Sequence, residues 1–292
     1  MSFGILQTFW NRLHLYKNIG PVEPESLVMR QIEMDEDEHS MVEFNIVEKE
    51  RRPMIEVKAY QEKHKSWMKV FILHHHLNTG GVTKVIDVQI DALVASGCTV
   101  ELIVGSDEDL KRQDIPVHIV KELNYLSSGQ SKTSLDLQLE SITSQLKKLI
   151  PNTAECVIHP HNLCLGKNPL MNLAIDQLLK EGYSVLNHCH DFAEDDRPHL
   201  IALFDEVLSH YHAERESLLY PTYNNLRFAA INSMDKDRLL KKGIPTSHIL
   251  NLPNAIGMPP QKDKEASKAL IRSQLNLDER LLLLYPVRVI RR

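Results

Sequence analysis

The chain has 292 residues, 42% of them hydrophobic and 25% charged, with a net charge of -5, which is the balance of a soluble globular protein of one large or two medium domains. The acidic excess gives no support for nucleic-acid binding, no apolar run is long enough to span a bilayer, and no signal-peptide pattern is seen. Four cysteines (Cys98, Cys156, Cys164 and Cys189) form no CxxC pair, which argues against a disulfide framework or a zinc knuckle and suits a reducing cytosol, so a cytoplasmic location is expected.

Residues 1–67 stand apart from the rest. Phe3, Leu6, Phe9, Trp10 and Leu13 recur at helical spacing, so a short amphipathic helix is expected there. Its apolar face would pack on its own protein or, with Arg12 and Lys17 flanking it, let residues 3–15 touch a membrane surface or a partner. An acidic run at 33–38 and a mixed-charge stretch to Lys65 read as a solvated, loosely ordered linker.

From Lys69 the pattern becomes regular. A buried strand is expected at 70–73, then a helix with Val82, Val85, Ile86, Leu93 and Val94 on one face. Further strands are expected at 100–104 and 116–120, then a helix marked by Leu135, Leu139, Ile142, Leu146 and Leu149. A strand at 156–159 leads into a helix with Leu170, Leu173, Ala174 and Leu178, and strands at 185–188 and 227–231 follow. A short helix from Leu239 stops at Gly243. Strands alternating with helices predict an α/β fold, a Rossmann-like parallel sheet with helices on both faces. Ligands of such sheets bind at the carboxyl ends of the strands.

Three strand ends carry chemistry. After the first comes HHHLNTGGV at 74–82, where Gly80 and Gly81 let a ligand approach the backbone and a helix start offers free N–H groups to phosphate. Strand alternation puts His74 and His76 on one side and His75 on the other. The second strand end carries His161, Asn162, Lys167 and Asn168, with Asn168-Pro169 reading as a helix start. The third is the densest polar cluster: His188, His190, Asp191, Glu194, Asp195, Asp196 and Arg197. The HxH pairs 74/76, 159/161 and 188/190 would meet at one rim, so metal-dependent hydrolysis is an alternative, although no HExxH sets a general base beside them.

Taken in order, these segments, with INSxxxxxLxxxGIPxxHILNLPN at 231–254 and LLLLYPVRVIRR at 281–292, resemble the N-terminal half of retaining GT-B glycosyltransferases, the family of sucrose-phosphate and glycogen synthases. The resemblance covers 68–292. It implies a GT-B N-terminal, acceptor-binding domain at 68–254 and, at 255–292, a crossover into a donor-binding domain whose remainder is missing. It implies Gly80, Gly81 and Arg288 near the donor diphosphate, a histidine beside the transferred sugar, His190 in preference to His188, and Asp191 or Glu194 positioning or deprotonating the acceptor hydroxyl. His76, Asn78, His161, Asn162, Lys167, Asn168, Glu194 and Arg197 become candidates for holding substrate. The implied donor is a nucleotide-diphosphate sugar, with no metal and no cofactor required and the acceptor unknown. The expectation is an acceptor-side fragment that is inactive alone and prone to self-association through uncovered apolar surface. The other alternative is a non-catalytic binding module.

Overall fold

A computed structural model describes residues 68–108, 112–254 and 263–275. Strand β1 (Lys69–His76) is followed by α1 (Gly81–Ala95), β2 (Thr99–Ser106), β3 (Val117–Ile119) and α2 (Lys132–Leu149). Then come β4 (Cys156–Pro160), α3 (Pro169–Lys180), β5 (Val185–Cys189), α4 (Pro198–Ser209) and α5 (Arg215–Leu219). The run closes with β6 (Leu226–Ala230), α6 (Ser233–Lys241), β7 (Ile249–Asn251) and α7 (Lys264–Gln274).

The strands form one seven-stranded sheet in the order β3-β2-β1-β4-β5-β6-β7, parallel throughout. Alternation along each strand divides its side chains between two cores. Phe71, Leu73, Ile158 and Phe228 meet Leu139, Leu173 and Phe204 from α2, α3 and α4 on one face. Val70, Ile72, Val157, Leu186 and Ala229 meet Ile86, Ile90 and Leu93 of α1 on the other. The expected α/β architecture with helices on both faces is therefore present.

The differences from expectation are local. Val94 is 47% exposed, because the apolar stripe of α1 runs through Val85, Ile86, Ile90 and Leu93 and turns Val94 outward. Helix α4 was not expected, yet Leu200, Leu203, Phe204, Val207 and Leu208 fall on one face at helical spacing. Strand β7 is too short to give a periodic signal and is set by pairing, as Leu252 N–H donating to the Ala230 carbonyl at 2.7 Å extends it. The expected helix at 3–15, the acidic linker and Arg288 lie outside the described residues. No helix among the described residues is long and apolar enough to cross a membrane.

Candidate functional site

The strand order reverses between β1 and β4, so their carboxyl ends, with that of β5, border the crevice where open parallel sheets take ligands. All three HxH pairs reach this place. His74, His159, His161 and His188 are buried, and His76 and His190 are partly exposed. The His161 ring centroid lies 4.7 Å from His159, 5.0 Å from His188, 5.2 Å from His190 and 6.2 Å from His74. His75 takes the opposite face, where its Nδ1 donates to the Leu123 carbonyl at 2.7 Å. The convergence follows from period two: in-register parallel strands put i and i+2 of each pair on one face, beneath α1.

Pro160 shapes the centre. Ile158 N–H donates to the Ser184 carbonyl at 2.9 Å and Asn162 N–H to the His188 carbonyl at 2.8 Å. The rung between them would join residue 160 to the Leu186 carbonyl, but proline has no N–H. His159 Nδ1 supplies the missing donor at 2.7 Å. Burial holds His159 down to about 4, against the pull of that carbonyl, so the ring is neutral and its proton sits on Nδ1. Its Nε2 then needs a donor. The Gln89 side chain lies 3.1 Å from His159 Nε2 and 2.9 Å from His188 Nδ1. The consistent arrangement has the Gln89 amide nitrogen facing His159 and its oxygen facing an N–H of His188. His74, His161 and His188 are all pushed well below the ordinary histidine range, by burial first and then by neighbouring imidazoles. The cluster is uncharged at neutral pH.

Asn162 connects this floor to the loop above it. Its backbone is left-handed, at φ 64 and ψ 34, a conformation that asparagine tolerates better than most residues. Its side-chain oxygen accepts from His190 N–H at 2.8 Å and Asp191 N–H at 3.0 Å, and its nitrogen donates to Asp191 Oδ2 at 3.2 Å. Asp191 Oδ1 in turn accepts from Arg197 Nη2 at 3.0 Å, while Arg197 Nη1 is buried without a partner among the described residues. His190 Nε2 meets His161 Nδ1 at 2.9 Å, and burial holds His190 down to about 4 although Asp191 opposes the shift. Asn162, His161, His188, His190, Asp191 and Arg197 thus form one constellation.

The rim beside β1 is a second group. Asn78 N–H donates to His76 Nδ1 at 3.3 Å, so a neutral His76 directs its Nε2–H at the Tyr125 hydroxyl, 2.9 Å away. That leaves the Tyr125 proton available to a ligand. Lys167 lies over the Tyr125 ring at 3.9 Å. Gly80 begins α1 with extended backbone, no side-chain cap and no acidic residue in the first turn, so the helix's first N–H groups lack side-chain partners. A Cβ placed on Gly81 would meet nothing within 4 Å among the described residues.

Three candidates are turned to the fold. Asn168 caps α3 through Leu170 and Met171, and its amide donates to the Glu122 and Asn124 carbonyls at 2.8 and 2.7 Å. Glu194 accepts from Tyr220 at 2.8 Å and pairs with Lys242 at 2.8 Å, which hold its carboxyl below the usual range against burial. Asp195 pairs with Arg238 at 2.7 Å. Gln89 and Tyr125 had not been singled out. Gln89 had a signal, a polar residue inside the apolar stripe of α1, while Tyr125 sits in a loop with no periodicity.

No protein-family model matches the chain. A mannosylglucosyl-3-phosphoglycerate synthase from Petrotoga mobilis is 30% identical over 240 residues, which is 76% of this chain and 46% of that protein. The chain therefore spans about half the length of this curated relative. A glycosyltransferase structure from Rickettsia africae aligns over 73% of this chain and 50% of its own, with a TM-score of 0.42 and 12% identity, too low a likeness to support any further reading.

Proposed function

We propose that this chain is the acceptor-side part of a nucleotide-sugar glycosyltransferase of the retaining GT-B kind. The observation that carries the reading is Asn162 holding His190 and Asp191 at the switch point, beside the uncapped, open start of α1. The named product of the Petrotoga relative supports an acceptor built on a sugar joined to phosphoglycerate, an anion with phosphate and carboxylate groups.

The chemistry asks for few strong acids or bases. A nucleoside diphosphate leaves, and its growing charge is met by the first N–H groups of α1, which approach closely because Gly80 and Gly81 carry no side chain. Arg288, outside the described residues, is the candidate cation for the same charge. His190 is neutral, so it hydrogen-bonds a sugar hydroxyl rather than pairing with phosphate. Asp191, fixed by Asn162 and Arg197, orients an acceptor hydroxyl. Lys167 and Arg197 supply positive charge for an anionic acceptor. In a retaining reaction the donor phosphate takes the acceptor's proton, so no side chain need act as a strong base and no metal is required at the diphosphate.

Metal-dependent hydrolysis fits less well. The three imidazoles best placed for an ion are 0% exposed, whereas a hydrolytic metal needs an open coordination position for water and substrate.

The test is calorimetric titration of the chain with glucosyl-3-phosphoglycerate and, separately, with GDP-sugars and UDP-sugars. Acceptor binding is expected, weakened at least about tenfold in Asp191→Asn and His190→Ala. A folded protein that binds neither class of compound overturns the reading.

A further inference from the structure

We propose that His159, His161 and His188 form a closed binding site for a zinc-class divalent cation that fastens β4 to β5 beneath the crevice. One ring nitrogen from each residue lies within 4.8 Å of the other two, and all three residues are fully buried. Their ring centroids stand 4.7, 5.0 and 5.7 Å apart. Imidazoles on one tetrahedral zinc, with bonds near 2.0 Å, place their centroids about 5 Å apart, so small rotations would bring the nitrogens onto a common ion.

Three further observations point to a ligand here. His161 Nε2 is buried without a hydrogen-bond partner among the described residues, an unmet need that a cation would answer, and His188 Nε2 makes no bond within hydrogen-bond distance although the Leu252 backbone faces its ring. Each ring also has its Nδ1 held by the protein, as oriented metal ligands do: His159 by the Leu186 carbonyl, His161 by His190 and His188 by Gln89; at His159 Nε2 the ion would replace the Gln89 amide, 3.1 Å away. Finally, the seam the ion would join is thin. The β4–β5 ladder has one regular pair, Ile158 with Val185, and an isolated bridge, His161 with His188, because Pro160 interrupts it. The Gln89 amide, 2.9 Å from His188 Nδ1, stays outside the ion as a partner that orients the His188 ring.

An all-imidazole set selects zinc, cobalt, nickel or copper over magnesium or calcium. The closed surroundings suit a structural ion, and the donor diphosphate of the proposed reaction lies outside them. The inference does not depend on the proposed function, because its test uses no sugar and no nucleotide.

The test uses the tag-free full chain, stripped with a chelator and titrated with Zn2+ and Co2+. The expected result is one tightly held equivalent, a raised Tm and the intense visible bands of tetrahedral cobalt. His161→Gln and His188→Gln should each lower affinity at least about tenfold with circular dichroism unchanged, and Gln89→Leu should lower it about tenfold as an outer partner. His248→Gln, outside the cluster, should leave binding as it was. If either ligand variant fails to fold, the wild-type cobalt spectrum decides: strong tetrahedral bands support the site, and the weak bands of octahedral surface binding overturn it. Failure of the folded wild type to take up an equivalent overturns it too, as does full affinity in both ligand variants.

Discussion

The His159 imidazole donates to the Leu186 carbonyl at 2.7 Å and replaces a rung of the parallel ladder that Pro160 cannot form. This bond accounts for a proline in a strand flanked on both sides, a position it normally avoids. It also fixes the His159 tautomer, and through Gln89 that of His188.

The substitution His159→Leu tests this directly. It keeps apolar bulk but strands the Leu186 carbonyl, so stability should fall by about 2 to 3 kcal/mol. Pro160→Ala restores a backbone N–H at the vacant position. In the His159→Leu background it should recover about 1 kcal/mol more than it contributes in the wild type. Urea unfolding midpoints of the four proteins measure the coupling. Strictly additive effects would show that the side chain does not stand in for the rung.

Asn162 combines a left-handed backbone with three hydrogen bonds to the loop that carries His190 and Asp191. Asn162→Ala loses the bonds and keeps the unfavourable backbone, so it should cost about 2 to 3 kcal/mol. Asn162→Gly loses the same bonds but relieves the backbone, and should be about 1 kcal/mol more stable than the alanine variant. Both should bind acceptor at least about tenfold more weakly, since both release the loop. Thermal melts with acceptor titrations separate the two effects. Equal stability of the variants would remove the backbone argument, and unchanged affinity would remove the positioning role.

Much of this site can be read from sequence because period two does the work. Once 74/76, 159/161 and 188/190 end parallel strands, one face follows for all six histidines, and His75 must take the other. What stayed hidden came from tertiary partners. Glu194 and Asp195 stand beside Asp191 in sequence, yet Lys242, Tyr220 and Arg238 draw their carboxylates away. Asn168 carried its helix-start signal openly, but its two bonds to carbonyls near Glu122 depend on a loop packed 46 residues away. Tyr125 joins His76 only through such a loop.

Acidification should unfold the protein through the buried histidines. His75 and His159 are held near 4 by burial, against 6.5 for an ordinary histidine. A base with a depressed folded value binds fewer protons folded than unfolded between these limits. Stability is therefore full above about pH 6.5 and falls as pH drops toward 4, each group withdrawing roughly 3 kcal/mol across the window. Melting curves in chelator-containing buffer from pH 7.5 to 4.5 should show Tm falling, with most of the loss above pH 5, before depressed carboxylates titrate. A Tm that stays flat down to pH 5 would mean that these rings are already charged, or exposed, in the folded chain.

Gly81 separates binding from folding. A Cβ there meets no described atom within 4 Å, whereas at Gly105 it would lie 2.5 Å from the Asn124 backbone nitrogen. Gly81→Ala should therefore change stability by no more than about 0.5 kcal/mol, and Gly105→Ala should destabilise by about 1 to 3 kcal/mol. If the start of α1 receives a diphosphate, the open space at Gly81 is where that group lies, and a methyl there should weaken GDP or UDP binding at least about tenfold. Calorimetric titration of both nucleotides against the wild type and Gly81→Ala decides it. Equal affinity in a correctly folded variant would move the diphosphate away from α1, leaving the Asn162–His190–Asp191 constellation to account for ligand binding by itself.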